Sequence, residues 1–143
     1  MVCLWRIIEN IILGNEPVGK KDRIDWQKAR AICIQLMENL QINIDLDLYA
    51  GDLGAAEAKM VEILKALVSK AEIIIMDEPT AALPEKEVEA LFRLIYNLKA
   101  SGVTVIYISH RINEIFSIAD RVSVLKDGKI LGTFLVNTIN QDE

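Results

Sequence analysis

Asp77 and Glu78 end an apolar run, Ile73-Ile74-Ile75-Met76, and are followed directly by Pro79 and Thr80. Two adjacent carboxylates at the end of a buried strand are costly unless they are used. Four large apolar residues in a row predict a parallel strand covered on both faces, and in such sheets ligands gather beyond the carboxyl ends of the strands. Successive strand residues point to opposite sides. Asp77 and Glu78 can therefore divide two tasks, one holding a Mg2+ and the other orienting a nucleophilic water. The alternative is a solvated strand-to-helix turn whose acids sit near a helix N-terminus.

A second chemical residue is the single histidine, His110. It follows another apolar run, Val103 to Ile108, and the helical pattern between the two runs makes a strand–helix–strand unit. A right-handed crossover of that length pairs the strands in parallel and brings His110 to the same sheet edge as Asp77 and Glu78.

The elements that must hold these residues can be read along the chain. Leu4 to Leu13 is expected as a helix ended by Gly14-Asn15-Glu16-Pro17, with a polar loop through Lys21. Asp25 is the expected N-cap of a helix over 26–40, whose apolar stripe is Ala29, Ile32, Cys33, Leu36, Met37 and Leu40. Residues 43–51 read as loop, and Ala55 to Ser69 as a helix with Met60, Ile63, Leu64 and Leu67 on its apolar face. Pro84 suits the first position of a helix running to Ala100, with Glu85, Glu87 and Glu89 near its positive end. A short helix over 113–119 leads to strands at 121–126 and 129–136, joined by the hairpin pair Asp127-Gly128. The last residues are expected to fray.

At 143 residues, 52% hydrophobic and 26% charged, the chain suits one globular α/β core. A net charge of −5 gives no support to a broad nucleic-acid or anionic-membrane surface. No run of 18 uncharged apolar residues suggests a spanning helix, so a cytosolic chain is expected. Cys3 and Cys33 lack metal-ligand spacing and read as reduced structural thiols.

The stretch from Ile73 to Gly132, containing IIIMDEPTAALPEKEVEALF and GVTVIYISHRINEIFSIADRVSVLKDGKILG, closely resembles the nucleotide-binding cassette of ABC transporter ATPases. The wording is nearest to the first cassette of the double-cassette subunits that energise bacterial sugar importers. Upstream, 4–14 resembles the entry to the family's helical subdomain, and 60–67 the body of its signature helix. The resemblance implies a partial P-loop-NTPase-like (ABC cassette) α/β fold with a helical subdomain, parallel core strands and a C-terminal β-hairpin. Residues 1–70 would be the helical subdomain, and 71–143 the C-terminal part of the ATP-binding core. It further implies that Asp77 holds Mg2+ through water, that Glu78 is the general base, that His110 contacts the γ-phosphate of ATP, and that Ala81-Ala82-Leu83 crosses a dimer interface. The implied partners are a second ATP-binding cassette and transmembrane permease subunits, with no nucleic acid. The implied place is the cytoplasmic face of the membrane.

Two departures qualify that expectation. The phosphate-cradling pattern G-x-x-x-x-G-K-[ST] occurs nowhere in the chain, and there is no candidate for the glutamine loop. The sequence thus looks like the C-terminal part of a cassette. Where the family shows Leu-Ser-x-Gly-Gln, this chain has Leu53-Gly54-Ala55-Ala56-Glu57. Gly54, Ala55, Ala56 and Glu57 keep the helix N-terminal amides that bind a partner's ATP. They lack the hydroxyl, however, and add a methyl and a negative charge, so weakened phosphate recognition is expected. The overall reading is a fragment of a sugar-import ATPase, inactive in isolation. The alternative is a non-catalytic interaction module that keeps the membrane-docking subdomain; a nucleic-acid-remodelling ATPase is disfavoured because no arginine cluster or aromatic platform accompanies the motif. In the resembled fold a central strand lies between 103–108 and 121–126. Without it, Val103 to Ile108 is expected to expose an apolar edge and drive self-association, unless 121–126 slides across to pair with it.

Overall fold

The computed structural model describes residues 1–81 and 83–139; Ala82 of the expected interface loop and the expected fraying of the last residues lie outside them. In chain order the elements are α1 (Ile7–Ile12), α2 (Trp26–Leu40), α3 (Ala55–Val68), β1 (Ile73–Asp77), α4 (Glu85–Ala100), β2 (Thr104–Ile108), α5 (Ile112–Ile118), β3 (Arg121–Lys126) and β4 (Lys129–Leu135). Short 3-10 turns occur at Lys20–Asp22, Ala50–Asp52 and Val136–Thr138.

α1 begins later than its spacing predicts. The Arg6 N–H is taken by the Glu9 carboxylate at 2.6 Å, and Arg6 itself is extended and bridged to Tyr49, so helical backbone starts at Ile7. α2 starts where expected, with Asp25 Oδ1 accepting the Lys28 N–H at 3.0 Å. It buries Ala29, Cys33, Met37 and Leu40. α3 buries Val61, Ile63 and Leu64, leaving Met60 and Leu67 half-buried. These three helices pack on one another, and α4 leans on α2, α3 and β2. One apolar cluster runs from Ile7 and Leu64 to Ile74, Leu94 and Ile118. Pro84 lies one place outside α4: its ψ of 153° is extended, which makes it the N-cap, and Glu85 is the first helical residue.

β1 and β2 pair in parallel from Ile73 opposite Thr104 to Asp77 opposite Ile108. The expectation that both faces are covered is not met. Ile74 and Met76 are buried, but Ile73 and Ile75 are 58% and 66% exposed, and Thr104, Ile106 and Ile108 face out beside them. The core lies on one side of the sheet, so its strands alternate inward and outward with the period of the pleat. Val105 and Tyr107 point to the core side.

β3 and β4 form a separate antiparallel sheet. Among the described residues β3 does not slide across to pair with β2, so the alternative of internal repair does not occur. Asp127 and Gly128 both have positive φ, 51° and 72°, as a type I′ turn requires. The Phe134 ring lies over Gly132, where an added Cβ would meet it at 2.5 Å. Both cysteines are free, Cys33 buried and Cys3 exposed. Among the described residues, no helix is long and apolar enough to cross a membrane.

Candidate functional site

The parallel ladder does not stop at Asp77. The Glu78 N–H donates to the Ile108 carbonyl at 2.9 Å, but Glu78 has a φ of 44°, so the chain leaves the strand direction at that residue. A non-glycine side chain held in left-handed backbone costs about 1–3 kcal/mol and persists only where its surroundings impose it. Turns closed by Ala81 N–H to Glu78 O (3.2 Å) and Leu83 N–H to Thr80 O (3.1 Å) follow.

This bend aims Glu78 at the end of β2. His110 Nδ1 lies 2.8 Å from Glu78 Oε1. An ionised carboxylate only accepts, so Nδ1 carries the proton in this contact and Nε2 is left pointing elsewhere. The other oxygen, Glu78 Oε2, is buried and has no hydrogen-bond partner among the described residues. Asp77, the last residue of β1, is exposed next to it. The sequence reading that Asp77, Glu78 and His110 share one sheet edge is met.

A buried acceptor without a donor is the fitting place for a water that must give up a proton. The described residues contain no group of three or more potential metal-ligating side chains. Mg2+ needs no such cage, since it keeps several waters and uses one or two carboxylates plus phosphate oxygens. Asp77, exposed at a strand end, therefore suits a Mg2+ held through water.

The Glu78–His110 contact is too exposed to set its own geometry. The imidazole is 77% exposed, and pairs of that kind contribute roughly 0–1 kcal/mol. Behind it lies a network centred on a buried carboxylate, which sequence reasoning missed. Glu114 on α5 accepts from Thr80 Oγ1 at 2.9 Å, Tyr107 OH at 2.6 Å and Arg111 Nη1 at 3.1 Å. Hydrogen bonds to a charged group contribute about 1.5–3 kcal/mol each. Burial pushes the Glu114 carboxyl up, yet the bonds from Tyr107, Thr80 and Arg111 outweigh it and leave the group below its ordinary range. Burial, with the Glu114 bond, drives the Tyr107 hydroxyl well above its own. The one signal for this network in the sequence was an acid at position 114 among the apolar residues of a short helix four places beyond His110.

Gly54, Ala55, Ala56 and Glu57 sit elsewhere. Gly54 is the extended N-cap of α3, and its N–H donates to Glu57 Oε2 at 3.1 Å. Glu57 lines a concavity of about 240 Å³ with Gln41, Asn43, Arg93 and Asn97. His110 lines a different one, of about 470 Å³, that runs along the start of α5 to Glu114. Among the described residues the two concavities share no lining residue.

No protein-family model matches the chain. It is 41% identical over 137 residues to the ribose import ATP-binding protein RbsA of Bacillus subtilis, covering 96% of this chain and 28% of that protein. It is 50% identical over 133 residues to the xylose import ATP-binding protein XylG of Thermoanaerobacter pseudethanolicus, covering 93% of this chain and 26% of that one. The chain thus spans about a quarter of the length of the curated relatives it matches. A solved nucleotide-free ATP-binding cassette from an ABC transporter superposes with a TM-score of 0.74 at 23% identity, over 92% of this chain and 56% of that one.

Proposed function

We propose that this chain, homologous along nearly its whole length to ATP-binding subunits of sugar-importing ABC transporters and folded as part of their cassette, supplies the water-activating side of an ATP-hydrolysing site. The observation that carries the reading is the Glu78 carboxylate, with one oxygen bonded to His110 and the other buried and without a donor among the described residues. In this reading Glu78 Oε2 takes the proton of the attacking water as general base. His110 Nδ1 donates to the Glu78 carboxylate, and its Nε2 reaches the γ-phosphate as a donor only when the ring is doubly protonated. Asp77 would hold Mg2+ through water. When bound, that ion neutralises charge on the phosphate oxygens. Residues 1–70 act as the helical subdomain that docks on permease subunits, and 71–143 as part of the ATP-binding core. The whole protein would lie on the cytoplasmic face of the membrane, paired with a second cassette, and couple ATP hydrolysis to sugar import.

Positioning and charge neutralisation carry phosphoryl transfer, and this chain has no phosphate-loop pattern. Alone, it should neither hydrolyse ATP nor bind MgATP in the micromolar range by calorimetry. Fused behind the phosphate-loop segment of a ribose-import relative, it should hydrolyse ATP. Glu78→Gln in that fusion should lower turnover by roughly 100- to 10,000-fold while ATP binding survives. Turnover unchanged by Glu78→Gln refutes the assignment of the base. A non-catalytic interaction module is favoured by one observation, the capping of α3 by Glu57 where phosphate would approach. A fusion that binds no ATP at all would select that alternative.

A further inference from the structure

Beyond Ile108 the two strand ends are no longer joined by ladder hydrogen bonds, although Glu78 and His110 must still meet. α4 holds the far end of α5, where Tyr96 OH donates to the Ser117 carbonyl and Lys99 Nζ to the Ile118 carbonyl at 3.0 Å. The near end, next to His110, is held by the Glu114 carboxylate. Thr80 stands two residues after Glu78, Tyr107 three before His110, and Arg111 one after it. All three donate to that one carboxylate. Ser109, between Tyr107 and His110, adds a longer contact at 3.4 Å and accepts the Arg111 N–H at 3.0 Å.

We propose that Glu114 is a positioning residue for the Glu78–His110 pair. Its carboxylate clamps the turn after β1 to the segment after β2, and so keeps the imidazole on the Glu78 carboxylate. The inference rests on the proposed role of that pair, but its test does not require turnover. Thr80 is fully buried and Glu114 nearly so, so the Thr80–Glu114 link of the clamp is shielded from solvent in a way the Glu78–His110 pair is not.

The chain has one histidine, which makes its imidazole nitrogens an unambiguous probe by NMR. At a pH where the ring is neutral, the unmodified chain should show the Nδ1–H tautomer, because Glu78 accepts there. Glu78→Ala should shift the ring to the mixture of a free imidazole. Glu114→Gln and the shape-conserving Thr80→Val should shift it the same way, with Thr80→Ser restoring the original signals. Circular dichroism identifies variants that have unfolded, and Thr80→Val decides the matter if Glu114→Gln has. A ring that responds to Glu78→Ala but not to folded Thr80→Val or Glu114→Gln overturns the positioning role alone. A ring indifferent to Glu78→Ala overturns the pair itself and the clamp with it.

Discussion

Glu57 Oε2 accepts the Gly54 N–H at 3.1 Å, so the first turn of α3 is closed by a carboxylate of its own chain. A phosphate approaching that helix end would meet the charge of Glu57 and compete with it for the amide. A side chain at Gly54 would meet only that carboxylate, with Oε2 3.8 Å from an added Cβ, so there is room for a hydroxyl. The triple change Gly54→Ser, Ala56→Gly and Glu57→Gln should therefore raise ATP-dependent pairing of the phosphate-loop fusion, measured by size-exclusion chromatography with and without nucleotide. Pairing that does not respond would mean this segment never meets nucleotide.

The left-handed backbone at Glu78 predicts a stability signature. Glycine adopts a φ of 44° without the penalty that a Cβ carries. Glu78→Gly should be more stable than Glu78→Ala by about 1 kcal/mol in urea denaturation. Equal stability of the two would mean that the bend relaxes when the side chain is removed.

How much of this was legible beforehand differs by element. The Asp25 cap, the Asp127-Gly128 turn and the Asp77–Glu78–His110 convergence follow from local rules, a cap chemistry, a turn chemistry and a parallel crossover. The bend at Glu78 was not legible, since a left-handed conformation is written by Gly or Asn, and tertiary contacts impose it on a glutamate here. The clamp at Glu114 escaped because its donors, Thr80, Tyr107 and Arg111, come from three segments whose meeting no spacing encodes. The face of β1 was misjudged because a continuous apolar run does not reveal how many sides of the sheet are covered.

Cys33 has its thiol pushed up to about 11 by burial, offset only in part by Arg30. The native chain should be alkylated by iodoacetamide at Cys3 alone, with Cys33 reacting on unfolding. The folded pKa lies above the ordinary value of 9.0, so this thiol's contribution to stability is complete below pH 9 and is lost as pH rises toward 11. Peptide mapping after brief alkylation at pH 8 checks the first statement, and denaturation midpoints across that pH range check the second.

The outward face of β1 and β2 carries Ile73, Ile75, Ile106 and Ile108, an apolar surface beside an open strand edge. Self-association through it is expected, and Ile106→Lys should weaken association in light scattering while leaving the melting temperature nearly unchanged. Val105→Lys should instead unfold the chain, because Val105 packs against the core. A chain that stays strictly monomeric at high concentration would show that this face does not associate.

The β3–β4 hairpin makes its main contacts with itself, and nearly all of its residues are exposed. A lone two-stranded ribbon is marginal in water, so it constitutes a separate cooperative unit with a low opening free energy. Its amide protons should exchange with solvent deuterium through local opening, orders of magnitude sooner than those of the buried turns of α1 and α3, whose release requires loss of the whole core. Molecular recognition that covers the hairpin would register first as slowed exchange there, with the helices unchanged.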